Sequence, residues 1–219
     1  NLKDDYLKCE LNNSRAFKMK EEFDRVYWLN MSYKKYLNKE VKELSFDYKS
    51  ATDTIKMLEK ENKQLYLECE KKQKNEYIRR VIKEAMIESE MEYLESREKD
   101  NGIHVINQDV YHIENGDVVT VTINEKGEAN YIVGSVSVDG IRKDEESTIA
   151  SMHKFCDKYK NIEKKLKEKG IEVDESRRFE PSSKFIRDVE LNENSKRIIK
   201  NGSRKRSASE LKRRHVGDE

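Results

Sequence analysis

The sequence predicts a mostly α chain with a small α+β module, built as a long N-terminal coiled-coil helix, a three- to four-stranded antiparallel meander covered by helix, and a disordered basic tail. Three observations carry that prediction. All eight glycines and the single proline lie at or after Gly102, so the first 101 residues contain neither of the strong helix breakers. Apolar residues repeat with a seven-residue period over the first 70 positions. From Gly102 to Gly140 the composition then changes to Val, Ile, Thr and Gly.

The whole-chain composition sets the frame. Of 219 residues, 41% are charged and 35% hydrophobic, with a mean hydropathy of -1.04. A globular domain carries about 25% charged residues, which argues against one large compact core. The net charge of only +1, with eleven Tyr, six Phe and one Trp, argues equally against wholesale disorder. No stretch approaches the roughly 20 apolar residues of a spanning helix, and no signal peptide or membrane anchor is visible. The chain starts at Asn1 rather than Met, as a fragment or a processed product would.

The rod is predicted over residues 1–70. Every seventh residue from Leu2 gives Cys9, Ala16, Phe23, Asn30, Leu37, Leu44, Ala51, Leu58 and Leu65, of which only Asn30 is polar. The companion series is Tyr6, Asn13, Lys20, Tyr27, Lys34, Val41, Tyr48, Ile55, Asn62 and Cys69. A 3.5-residue repeat held over so many heptads reads as the d and a seam of a left-handed supercoil. The seam residues assigned to self-association are Leu2, Tyr6, Cys9, Phe23, Tyr27, Leu37, Val41, Leu44, Tyr48, Ile55, Leu58 and Leu65. The polar a residues Asn13, Lys20, Lys34 and Asn62 would cost stability and fix register.

Residues 71–102 are predicted as a second helical segment. The charged run from Lys71 to Glu76 breaks the heptad phase, as a stutter or a hinge. Ile78, Val81, Ile82, Ala85, Met86, Ile87, Met91 and Leu94 then make a broader apolar face. Helix unbroken to Ser96 would be on the order of 140 Å long at 1.5 Å per residue.

The module is predicted over 103–190. Asn115-Gly116 is a two-residue hairpin signal, and Val119, Val121 and Ile123 alternate with threonines as in a half-buried strand. Gly127 suits the left-handed position of the next turn, and Tyr131 to Val138 carry the return strand. A weaker strand from Ile103 to Ile106 continues toward Ile113. A helix over 143–169 supplies Ile149, Met152, Phe155, Cys156, Tyr159, Ile162 and Leu166 as cover, and stops at Gly170.

The segment 191–219 reads as a basic, largely disordered tail. Residues 195–219 carry +6, which leaves −5 on the rest of the chain. Lys196, Arg197, Lys200, Arg204, Lys205, Arg206, Lys212, Arg213 and Arg214 are the candidate phosphate contacts, which would be sequence-independent and salt-sensitive. The same triplets would resemble a nuclear address in a eukaryotic chain, or simply be solvated. No aromatic residue follows Phe185, so the tail lacks a base-stacking platform.

Chemistry-bearing motifs are missing from the sequence. His104, His112, Asp109 and Glu114 are the right residue types for a metal but match no ligand spacing, and the histidines read as surface residues. Cys9, Cys69 and Cys156 show no pairing pattern and read as small buried thiols in a reducing compartment. With no nucleophile elbow and no phosphate-cradling glycine loop, no catalytic, cofactor or metal residues are assigned. The expectation is a non-enzymatic cytoplasmic assembly protein, dimeric through its rod, that docks a protein partner through its head. The alternative is a nucleic-acid-associated accessory protein, or the C-terminal part of a DNA-processing protein from plasmid mobilisation or phage replication, and nuclear if eukaryotic. A regulatory segment with an enzyme upstream of Asn1 is a third reading.

Overall fold

The computed structural model describes residues 2–100, 105–113, 116–136, 144–174 and 179–201. The chain divides into two compact units, Asn1–Lys74 and Asn75–Glu219. The first holds helix α1 (Leu2–Tyr36) and the start of α2 (Ala51–Glu88). The second holds the rest of α2, five strands and helix α3 (Glu145–Glu168). Long N-terminal helices and an α+β module are therefore present. A single helix running to Ser96 is not.

The break between α1 and α2 needs no glycine. Asn38 takes φ 55°, and the Lys39 and Asn38 amides donate to the carbonyls of Lys34 (2.8 Å) and Lys35 (3.2 Å). That is a Schellman ending, in which a left-handed residue lets the last carbonyls find donors. Asn tolerates this region far better than most side chains. Residues 39–47 form no regular element and run back alongside α1: Phe46 packs on Phe23, with ring centroids 5.6 Å apart, and the Leu44 amide donates to the Tyr27 hydroxyl at 3.3 Å. Asp47 opens α2 by accepting from the Ser50 amide and hydroxyl, contacts that hold its carboxyl below the usual range.

This return path makes α1 and α2 parallel. Asn30 meets Asn62, Tyr33 meets Tyr66, and the Tyr36 carbonyl accepts from Lys72. Phe23, Val26, Ile55 and Leu58 form the seam, with Met19, Tyr27 and Phe46 against it. Burial of each such side chain stabilises by about 1.5–3 kcal/mol. Within the seam the buried Asn30 amide donates to Asn62 Oδ1 (2.9 Å), and Asn62 donates to the Val26 carbonyl (3.0 Å). Lys34, expected in a seam between chains, instead pairs with Glu61 at 2.8 Å, and that ammonium lowers the Glu61 pKa.

Helix α2 passes through Lys71–Glu76 without a break. It ends at Glu90, φ 64°, where the Met91 amide reaches the Met86 carbonyl at 3.1 Å. Residues 92–100, expected to be helical, are instead strand β1 (Glu92–Asp100). Its charges fit its place at the sheet edge, where alternate pairing must be discouraged. The sheet continues with β2 (Val105–His112), β3 (Asp117–Ile123), β4 (Ala129–Ser135) and β5 (Arg187–Asp188), in that spatial order. β1 to β4 pair antiparallel and β5 joins β4 in parallel, so the sheet is mixed and five-stranded rather than an antiparallel sheet of three or four. Gly127 takes φ 83° in the β3–β4 turn, where the Asn124 side chain accepts from two amides. Asn115 and the predicted strand start at Ile103 lie outside the described residues.

Both sheet faces are covered. On one lie Tyr111, Val119, Val121 and Val133, packed by Ile82 and Met86 of α2 and by Met152, Phe155, Ile162 and Leu166 of α3. Arg79 of α2 clamps this face, giving Asp109 two hydrogen bonds, from Nε (2.6 Å) and Nη2 (2.5 Å). Ser151 of α3 donates to the buried Asp117 carboxylate at 2.6 Å. On the other face, Val110, Val118 and Val136 meet Val189, Leu191 and Ile199. Gly134 permits this approach: a Cβ there would stand 2.4 Å from Val189 Cγ2 and 2.8 Å from the Arg187 carbonyl.

Asn62→Leu should destabilise the protein by about 1–3 kcal/mol, because the Asn30 amide stays buried without one of its acceptors. Adding Asn30→Leu should recover most of that loss in chemical denaturation. Additive losses would show that the polar pair does not act as a unit.

Candidate interaction surfaces

The register of α1 against α2 decides which predicted self-association residues remain exposed. Asn30–Asn62 sets an offset of 32 residues between partners, so Ala51, the first residue of α2, lies level with Met19. Residues 2–18 of α1 therefore extend past the start of α2, over roughly 26 Å at 1.5 Å per residue. Leu2 is 90% exposed and Tyr6 63%, and Cys9 is exposed as well. At 100° per residue these three share a face with Asn13, Ala16 and Phe17, and Phe17 is 64% exposed.

The other predicted seam residues are placed differently. Phe23, Ile55, Leu58 and Leu65 are buried within the chain, and Tyr27 is partly buried against Phe23. They belong to the α1–α2 contact, not to a contact between copies. Leu37, Val41, Leu44 and Tyr48 lie in the segment that joins the helices: Leu37 and Val41 are half-buried, Leu44 and Tyr48 exposed. A heptad pattern reports that a stripe is buried, not which helix buries it.

The basic segment is divided in the same way. Residues 193–201 form a helix rather than part of a disordered tail. Asn192 caps it by accepting from the Ser195 amide at 2.8 Å. Glu95 of β1 anchors it, accepting from the Ser195 hydroxyl (2.7 Å) and the Asn192 amide (3.2 Å). Ile199 and Leu191 are buried on the sheet. Of the candidate phosphate contacts, Arg197 is exposed, Lys200 half-buried, and Lys196 paired with Glu193 at 2.9 Å, a contact that raises the lysine's pKa. Arg204, Lys205, Arg206, Lys212, Arg213 and Arg214 lie outside the described residues.

The two metal-type residues within the described structure do not converge. Asp109 and His112 point to opposite faces of β2, and Asp109 is engaged by Arg79. His112 is buried rather than on the surface, and its Nε2 accepts from the Gly116 amide at 3.3 Å. His104, Glu114 and His215 lie outside the described residues. Among the described residues no cluster of three or more ligand-type side chains occurs. Cys69 is buried, Cys156 half-buried and Cys9 exposed, so the reading of three buried thiols fails at Cys9.

Burial pushes the Tyr111 and Tyr131 hydroxyls well above the ordinary tyrosine range, with Asp109 adding to the effect at Tyr111 and Tyr159 at Tyr131. Both are core residues and stay protonated near neutrality. Among the described residues no helix is long and apolar enough to cross a membrane. The residue that the heptad reading passed over is Trp28, off the seam and 62% exposed. Comparison of the chain with known protein families, with curated proteins and with solved structures gives no match.

Proposed function

We propose that the chain is a non-enzymatic assembly protein that pairs with a second copy through the first five turns of α1 and docks a protein partner through its α+β unit. The observation that carries this reading is the stripe Leu2, Tyr6, Cys9, Ala16 and Phe17, exposed except at the half-buried Ala16. It prolongs the face of α1 that already packs on α2 at Phe23 and Asn30. A helix end this apolar and this exposed is stabilised when a like helix covers it. A dimer is the simplest such assembly, and the free thiols suit a reducing compartment.

A second reading rests on the basic segment. Arg197 and Lys200 stand on a helix fixed to the sheet at the start of the +6 region, a layout suited to an accessory protein that holds nucleic-acid phosphate. Full-length protein with Arg204, Lys205, Arg206, Lys212, Arg213 and Arg214 all changed to Gln should then lose most of its duplex-DNA affinity. The wild-type affinity should fall steeply with salt. An unchanged affinity would remove this reading.

Sedimentation equilibrium tests the main one. The wild-type chain should run at twice its 26.0 kDa mass. Leu2→Asp with Tyr6→Asp should return it to the monomer mass while circular dichroism still shows a folded chain, since both sites are exposed within one copy. A wild-type monomer at high micromolar concentration, or a dimer that persists in the variant, contradicts the proposal. Leu58→Asp is not a usable test, because it places a charge in the α1–α2 core.

A further inference from the structure

Trp28 stands on the outer face of α1 with an open groove on each side. One groove is lined by Arg25, Trp28, Leu29, Ser32, Glu59 and Lys63, among others, and the second by Trp28, Met31, Ser32, Lys35 and Lys39. Arg25, Trp28, Ser32 and Lys35 follow one another at three- and four-residue steps and so form one stripe along the helix, about 15 Å long. The indole is 62% exposed, and among the described residues its one ring neighbour is Tyr27, 5.9 Å away and tilted.

On the groove linings cations outnumber carboxylates, although Glu21 and Asp24 stand one turn away on the same face of α1. Arg25, Lys35 and Lys63 form no ion pair among the described residues, Lys39 is paired with Glu68, and Glu59 is the one carboxylate on the lining. An exposed aromatic face ringed by uncommitted cations attracts a partner with both a flat π-surface and a regular negative charge. Single-stranded nucleic acid has both: its bases stack on an aromatic ring whatever their identity, and its phosphates answer the cations. A duplex keeps its base faces covered. A second copy of the chain fits poorly, because a two-fold contact would set the same basic stripe against itself. An acidic peptide would meet the charges but has no regular flat group for the indole.

We propose that this face of the N-terminal unit binds single-stranded nucleic acid, with one base stacked on Trp28 and the flanking phosphates held by Arg25, Lys35 and Lys63. The site is separate from the basic C-terminal segment and independent of the self-association stripe. It supplies the stacking residue that the C-terminal segment lacks.

The chain's only tryptophan makes the test specific. Full-length protein titrated with a twelve-residue oligothymidylate should show quenched tryptophan emission, weakening as salt rises. The matching duplex should leave the emission unchanged. By fluorescence anisotropy of labelled oligothymidylate, Trp28→Ala should weaken binding about 5- to 150-fold, the range for losing one base–aromatic stack. Trp28→Phe should retain part of the affinity. Arg25→Glu with Lys35→Glu should weaken it further and flatten the salt dependence, with circular dichroism showing that each variant is folded. The proposal is overturned if oligothymidylate binds without quenching, or if Trp28→Ala binds as tightly as wild type. It is also overturned if polyglutamate quenches equally well, or if emission changes with protein concentration alone, which would mark a peptide site or a contact between copies.

Discussion

The N-terminal unit depends on one buried polar contact. Asn30 and Asn62 sit in a seam otherwise made by Phe23, Val26, Ile55 and Leu58, where the Asn30 amide donates to Asn62 Oδ1 and Glu61 Oε2 and the Asn62 amide to the Val26 carbonyl. Sliding α2 by one turn would keep many apolar contacts but leave both amides short of partners. That cost, on the order of 1–3 kcal/mol for each group, is what an apolar seam alone cannot supply: a unique register. From the register follow the offset of 32 residues, the exposed first turns of α1 and the outward position of Trp28.

Parallel packing of consecutive helices has a geometric requirement. The chain must travel from the end of α1 back to the level of Met19, roughly 26 Å at 1.5 Å per residue, before α2 can begin. Residues 37–50 are ample for that, since extended chain covers up to about 3.3 Å per residue. They are also anchored on the way, by Phe46 on Phe23 and by the Leu44 amide on the Tyr27 hydroxyl. The left-handed turn at Asn38 starts the return and the Asp47–Ser50 contact ends it. In the second unit the same economy of means appears at Arg79, whose paired hydrogen bonds to the buried Asp109 join α2 to the sheet.

The parts of the fold that were legible in the sequence are those whose signals are local. Val119, Val121 and Ile123 alternate because one face of β3 packs on helices. Gly127 and Gly170 stand where φ is positive, and α3 shows its apolar face at three- and four-residue steps. The α1–α2 break was hidden because glycine served as the mark of a helix end, whereas Asn38 and Glu90 occupy the left-handed position here. β1 was hidden because its charged residues follow helical sequence, and an edge strand needs little apolar character. The helix over 193–201 was masked by its lysines and arginines, although Asn192 as a cap and Leu191 with Ile199 on the sheet side were present to be read. For the interaction surfaces, the heptads marked Leu2 and Tyr6, which are exposed within the chain. They could not show that Phe23, Ile55 and Leu58 satisfy one another within the chain.

The most direct test of this account is the distance between spin labels at Ser32 and Lys63, in a chain whose three cysteines have been changed to alanine. Both positions line the same groove. Double electron–electron resonance should therefore give a short separation, set by an interaxial spacing of about 8–10 Å plus the label arms. A matched pair at Ser14 and Lys63 should be clearly longer, because eighteen helical residues add an axial displacement of roughly 27 Å to the same lateral spacing. If α1 and α2 were one continuous helix, Ser32 and Lys63 would lie roughly 46 Å apart at 1.5 Å per residue. That result would contradict the parallel register, and with it the exposed end of α1.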